Sequence, residues 1–189
     1  MATVDDFEIF EVCDFPLSMK LYGADKFKTP RTQDERVPIL VLPECVSRGV
    51  TTFGDKSYLT LTFEDAEPFR NLLIWMTSIL ETTKPMFELI RVSDYGVSYE
   101  MRIRLSDVYS VIDKNGMPAH RLHSLCEGSV LRCAVDIPCL WESATEYGLS
   151  AHLVQAKIMK SNSVCQIMPE MDHEVLTPIA ETTYRPLEG

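Results

Sequence analysis

Alternation, more than helical spacing, governs how apolar residues are placed along this chain. In Ser57 to Phe63, SYLTLTF, the residues Tyr58, Thr60 and Thr62 fall on one side and Leu59, Leu61 and Phe63 on the other. Such a period of two marks a half-buried strand. Phe7 to Val12 alternates in the same way, and Val37 to Leu42 is a short apolar run bounded by Pro38 and Pro43, which predicts an edge strand. Further strands are predicted over Phe87 to Val92, Val97 to Leu105 and Val108 to Ile112, with breaks at Asp94-Tyr95-Gly96 and Ser106-Asp107. Arg48-Gly49 reads as a turn, and Asp113-Lys114-Asn115-Gly116 as a hairpin-type turn. Residues 24–36, ADKFKTPRTQDER, are polar and predict a mobile loop carrying Lys26, Lys28, Arg31 and Arg36.

Only residues 65–82, DAEPFRNLLIWMTSILET, repeat at helical spacing. Asp65 suits the N-cap and Pro68 the first turn. Phe69, Leu72, Leu73, Met76, Ile79 and Leu80 form an apolar stripe that Ile74 and Trp75 widen, and Pro85 ends the segment.

The closing stretch from Gly128 to Lys160 holds two long β-prone runs joined by the polar break Glu142-Ser143-Ala144-Thr145-Glu146, which predicts a hairpin with a surface loop. Trp141 ends the first run and Tyr147-Gly148 opens the second. Helices do not alternate with strands, so a doubly wound parallel sheet is excluded as the expectation. The order predicts a mainly β fold, an OB-like antiparallel barrel with one inserted helix over 1–160, followed by an extended acidic C-terminal tail over 161–189.

Charge narrows the function classes. The 189 residues carry a formal net charge of −10. Residues 161–189 hold one cation against five anions, and residues 1–160 hold 17 against 23. A body this acidic disfavours non-specific duplex binding, which draws on a basic surface. Any nucleic-acid face must be local. No apolar run approaches the ~18–20 residues of a membrane span, and the N-terminus lacks the order of a signal peptide, which predicts an intracellular, non-secreted protein. The six cysteines show no CxxC spacing and are expected to be mostly reduced and buried.

The candidate chemistry lies on the strands. In YEMRIRL, Tyr99, Met101, Ile103 and Leu105 face one way, and Glu100, Arg102 and Arg104 the other. In HLVQAKIMK, Gln155 and Lys157 share a face, with Lys160 at the strand end, and Lys56, Tyr58 and Arg91 are placed to join them. Cations beside aromatic rings on a sheet hold the phosphates and stack the bases of an unpaired strand. The competing reading pairs Arg102 and Arg104 with carboxylates on an ordinary solvated strand. Trp141 and Tyr147 read either as a stacking platform at the barrel mouth or as core aromatics under the loop, and Tyr99 also fits a core position. His120, His123, Cys126 and Cys133 are zinc-ligand types, but their spacing matches no common finger or ribbon, and no metal or other cofactor is expected. GxSxG, HExxH, P-loop and GxGxxG motifs are all absent, so no enzyme is expected.

The arrangement resembles the OB-fold single-stranded DNA-binding proteins of large DNA viruses and bacteriophages. The resemblance covers roughly residues 50–160. Its clearest part is the close: Leu140-Trp141, a short loop, Tyr147-Gly148-Leu149-Ser150, then Val154-Gln155-Ala156-Lys157-Ile158. It implies sequence-independent binding of single-stranded DNA in replication, repair or recombination, at a viral replication site if the chain is viral. It also implies an acidic arm that contacts replication proteins, and leaves a homo-oligomer open. The tail departs from the family pattern in ending Leu187-Glu188-Gly189, without a terminal aromatic. The site expected from residues and resemblance together is Lys56, Tyr58, Arg91, Tyr99, Arg102, Arg104, Trp141, Tyr147, Lys157 and Lys160. The alternative is a structural or protein-interaction β domain, such as a virion component.

Overall fold

The computed structural model describes residues 6–23, 27–79, 84–86, 89–92, 96, 98–120 and 124–162. Among them are ten strands and one α-helix: β1 (Phe7–Glu11), β2 (Lys20–Tyr22), β3 (Phe27–Arg31), β4 (Val37–Val41), β5 (Cys45–Phe53), β6 (Lys56–Phe63), α1 (Arg70–Ile79), β7 (Ile90–Val92), β8 (Tyr99–Ile112), β9 (Val130–Glu142) and β10 (Tyr147–Lys160). The mainly β expectation with one inserted helix agrees with this order. From residue 163 onward the predicted tail lies outside the described residues, as do Lys26, His123 and residues 80–83, 87–88 and 93–95.

Strands β5, β6, β8, β10 and β9 form a closed path, because β9 also pairs with the start of β5. The closure is not wholly antiparallel. β10 runs parallel to β8, and β1 runs parallel to β4. Strand β9 lies between β8 and β10 in sequence and returns the chain, so it supplies the crossover a parallel pair requires.

Alternation fills the barrel. Leu59 and Leu61 of β6, Met101 and Ile103 of β8, Leu131, Cys133 and Val135 of β9, and Leu153 and Ala156 of β10 all point into one buried cluster. Helix α1 adds Leu72, Trp75 and Met76 to that cluster, following Phe69 in a preceding 3-10 turn. Ala66, not Asp65, is the N-cap of that 3-10 turn, and Asp65 Oδ1 accepts the Glu67 N–H at 2.9 Å in a local Asx-type turn just before it. Trp75 stacks at a tilt 5.3 Å from Phe15, and its Nε1 donates to the Met19 carbonyl at 3.0 Å. This ties the N-terminal segment to the barrel. Ile74, expected in the stripe, is exposed on the far side of the helix.

Four local expectations are corrected. Val37–Val41 is interior, between β1 and β9, since Pro38 precedes the Ile39–Val41 stretch that pairs with β9 and that ladder needs no donor from it. Residues 24–36 are not all loop, because β3 adds to both β2 and β9. Arg48-Gly49 is not a turn but a bulge inside β5, where register slips between Ser47 and Val50 and Gly49 takes a φ of 89°. Ser106-Asp107 does not break β8. The strand runs on with an irregularity opposite β10, where Leu153 faces Leu105 and Gln155 faces Ser110. Asp113-Lys114-Asn115-Gly116 does turn as expected, with Asp113 Oδ1 accepting the Asn115 and Met117 N–H groups at 2.8 and 2.9 Å.

Candidate nucleic-acid interface

Cross-strand register decides which polar side chains meet. Along the β6–β8 pair, Tyr58 faces Arg104, Thr60 faces Arg102 and Thr62 faces Glu100. Their neighbours Leu59, Leu61, Met101 and Ile103 point inward and are buried, so the polar set lies outside. The row continues sideways: His152 of β10 is level with Arg104, and Asp136 of β9 is level with His152. Arg91 of β7 is level with Glu100.

Two turns border this face. Between β5 and β6 the chain reverses through Gly54-Asp55, with Phe53 opposite Lys56 and Gly54 at a φ of 62°. Only glycine takes that backbone cheaply at the first central position of a tight hairpin turn. Phe53 therefore stands at the rim, 56% exposed. Its ring meets the edge of Tyr58 at 6.2 Å, and the Arg102 guanidinium lies 5.5 Å from its centroid. At the other end the β9–β10 loop is held by Ser143, whose Oγ donates to the Glu146 carbonyl at 2.9 Å and accepts the Glu146 N–H at 3.0 Å. Trp141 lies just before that loop.

The result is an open groove of about 500 Å³. Its lining includes four cations (Lys56, Arg91, Arg102 and Arg104) and three aromatic rings (Phe53, Tyr58 and Trp141), with Glu100 as the one carboxylate among the described residues. Lys56, Arg102 and Arg104 have no carboxylate within ion-pair distance among the described residues, whereas Glu100 lies 3.8 Å from Arg48. The predicted pairing of Arg102 and Arg104 with acidic neighbours is thus not found. His152 also lines the groove. Burial lowers its pKa, Asp136 opposes that shift, and Arg104 adds to it. Burial raises the Asp136 pKa against the pull of His152 and of its own backbone, and its Oδ1 is buried without a hydrogen-bond partner.

Six of the ten expected residues meet here: Lys56, Tyr58, Arg91, Arg102, Arg104 and Trp141. The other four are elsewhere. Tyr99 packs against the barrel core, opposite Phe63. Tyr147 is only 6% exposed, because its place in the β9–β10 ladder turns it inward and its N–H donates to the Pro85 carbonyl at 3.2 Å. Lys157 is level with Ile112 and Arg132, and Lys160 with Val130, at the far end of β10. Phe53 and His152 escaped the sequence reading. Gly54-Asp55 between two alternating runs was the available signal for Phe53. Nothing in the alternation marks His152 as a groove residue, because the register of β10 against β8 decides it. Of the zinc-ligand types, Cys133 is buried in β9 with its pKa raised chiefly by a hydrogen bond with Cys45, then by burial. Among the described residues, no group of three His, Cys, Asp or Glu side chains is placed to hold a metal. Cys13, Cys45, Cys133 and Cys139 are free thiols, and no described helix is long and apolar enough to cross a membrane.

Neither a protein-family model nor a curated protein sequence matches the chain. Its fold is similar to that of the single-stranded DNA-binding protein from bacteriophage Enc34, with a TM-score of 0.51 at 12% identity over 76% of this chain and 91% of that one. The same phage protein solved in complex with single-stranded DNA aligns with a TM-score of 0.50 at 9% identity, over 75% of this chain and 94% of that one. At these identities the likeness is one of fold.

Proposed function

We propose that the chain binds single-stranded DNA, without regard to sequence, along the groove between the β5–β6 and β9–β10 turns. One observation carries this reading. On a chain of net charge −10, four cations and three rings converge on a single open face that holds one carboxylate among the described residues. The closed path β5-β6-β8-β10-β9 supports reading that face as an OB-type surface. In such barrels the second and third strands, bordered by the first and last turns, take up oligonucleotides. Here those strands are β6 and β8. The similar phage protein, solved with single-stranded DNA, supports the same reading.

Arg102, Arg104, Lys56 and Arg91 hold phosphates, and Phe53, Tyr58 and Trp141 offer rings to successive bases. Rings accept any base, which makes the binding indifferent to sequence. The reading includes no chemical step. Such a protein coats DNA that replication, repair or recombination leaves unpaired inside the cell, and residues 161–189 form an acidic arm that recruits replication proteins to it. The barrel over 1–160 and that arm act as separate parts.

The test is titration of a labelled single-stranded oligonucleotide at two or more salt concentrations. Four phosphate contacts predict that log K falls against log salt with a slope of about −3. Absence of binding at low salt overturns the reading.

A further inference from the structure

The groove does not stop at Trp141. Phe27 of β3 is the direct cross-strand neighbour of Trp141, and Lys28 is that of Leu140. Leu140 is buried in the core, so Trp141 and Phe27 lie together on the outer side. Alternation carries that side along β3 to Thr29 and Arg31. Pairing with β2 carries it across to Tyr22, opposite Thr29, and to Lys20, opposite Arg31. One continuous outer face therefore holds two further rings and two further cations. Phe27 is 66% exposed and Tyr22 39% exposed, a display of apolar surface to solvent. Neither β2 nor β3 contains an acidic residue, and among the described residues Lys20 and Arg31 have no ion-pair partner. The opposite side of the hairpin does the structural work, with Pro30 buried and Leu21 packed against the core.

We propose that the β2–β3 hairpin is a second binding segment, on which single-stranded DNA leaving the groove past Trp141 stacks a base on Phe27 and on Tyr22 while Lys20 and Arg31 hold the adjoining phosphates. This rests on the groove reading and extends it. The groove takes a short oligonucleotide, and the hairpin is engaged only by a longer one. The occupant is a nucleic-acid strand because the face repeats the groove's own chemistry, rings interleaved with cations, and is continuous with it.

The experiment uses the full chain and two oligonucleotides, of about 6 and about 16 nucleotides, spanning the range of sites on such barrels. In Tyr22→Ser/Phe27→Ser, affinity for the longer oligonucleotide drops about 30-fold or more while affinity for the shorter one is unchanged. Lys20→Ser/Arg31→Ser lowers the salt slope for the longer oligonucleotide by about 1.4 and leaves that for the shorter one intact. Both pairs lie on an exposed or half-exposed face, and circular dichroism checks that each variant is folded. If folded variants bind the two oligonucleotides as the unmodified chain does, or lose affinity for both equally, the second segment is overturned. If the unmodified chain binds neither oligonucleotide, the groove reading fails first and takes the extension with it.

Discussion

The two ends of β10 look alike on paper and differ in the fold. Near the start, Ser150 and His152 line the groove, with His152 level with Arg104. Near the finish, Gln155, Lys157 and Lys160 also point outward from the same strand. There, however, Gln155 Nε2 donates to Ser110 Oγ at 3.0 Å, and Lys157 is flanked by Ile112 and Arg132. Arg132 in turn binds Glu11 of β1. Outward cations exist at both ends, but among the described residues only the groove end sets them beside aromatic rings. Concavity is what separates them. A cation on an open strand is screened by salt within about 10 Å, whereas one in a cleft with low-dielectric walls adds its field to its neighbours'.

The sharpest way to break this comparison is to remove cations from each end in turn. Arg102→Ala/Arg104→Ala is expected to weaken binding about 10- to 100-fold at low salt and to flatten the salt slope by about 1.4. Lys157→Ala/Lys160→Ala is expected to change affinity by less than about twofold. Equal losses in fluorescence titrations of both variants would place the DNA along the whole strand and end the distinction. A second contrast sets Trp141 against Tyr147, the two rings flanking one loop. Trp141→Ala should cost about tenfold in affinity with little change in the unfolding midpoint, because its ring lines the groove. Tyr147→Ala should do the reverse. It removes a buried ring and lowers stability by about 3 kcal/mol, read by denaturant unfolding, while the folded fraction binds as before.

Much of this arrangement was legible because alternation is a local property. The inward set of Leu59, Leu61, Met101 and Ile103, and with it the outward set of Tyr58, Arg102 and Arg104, follows from a period of two in either strand alone. The turn at Asp113 was legible for the same reason. What failed was non-local. Nothing near Val37 says that β1 will lie outside it, so Pro38 suggested an edge. Gly49 has the same local signature whether it closes a turn or kinks a strand, and only pairing with β6 selects the bulge. Tyr147 and Trp141 are both aromatic ends of strands, yet the β9–β10 register turns one in and leaves the other at the groove. The same register, with its shifts, brings Ser150 and His152 to the groove and leaves Lys157 beyond it.

Asp136 offers the finest test, because it places negative charge in the row that ends in the groove. Its side chain is level with His152, which is level with Arg104. Burial raises its pKa and leaves Oδ1 unpartnered, so its ionised form opposes folding. A carboxyl whose folded pKa is raised binds more protons folded than unfolded, and its unfavourable contribution appears as pH rises from the ordinary carboxylate range through the folded value. His152 has the opposite sense. With its folded pKa lowered by burial, it favours the fold above its ordinary value of 6.5, and that contribution is lost as pH falls below it. Asp136→Asn removes the first effect and, by taking away the carboxylate that raises the His152 pKa, deepens the second. Thermal unfolding across pH 4 to 8 should therefore show the variant more stable than the unmodified chain at neutral pH, with the advantage shrinking towards the acid end. Loss of the carboxylate also removes a like charge from beside the bound phosphates, so affinity at neutral pH should rise by about twofold at low salt. A variant less stable at pH 7 would mean that the folded chain holds the ionised carboxylate through a partner. The acidic body would then reach into the groove's own row, and the contrast between the two ends of β10 would lose its electrostatic half.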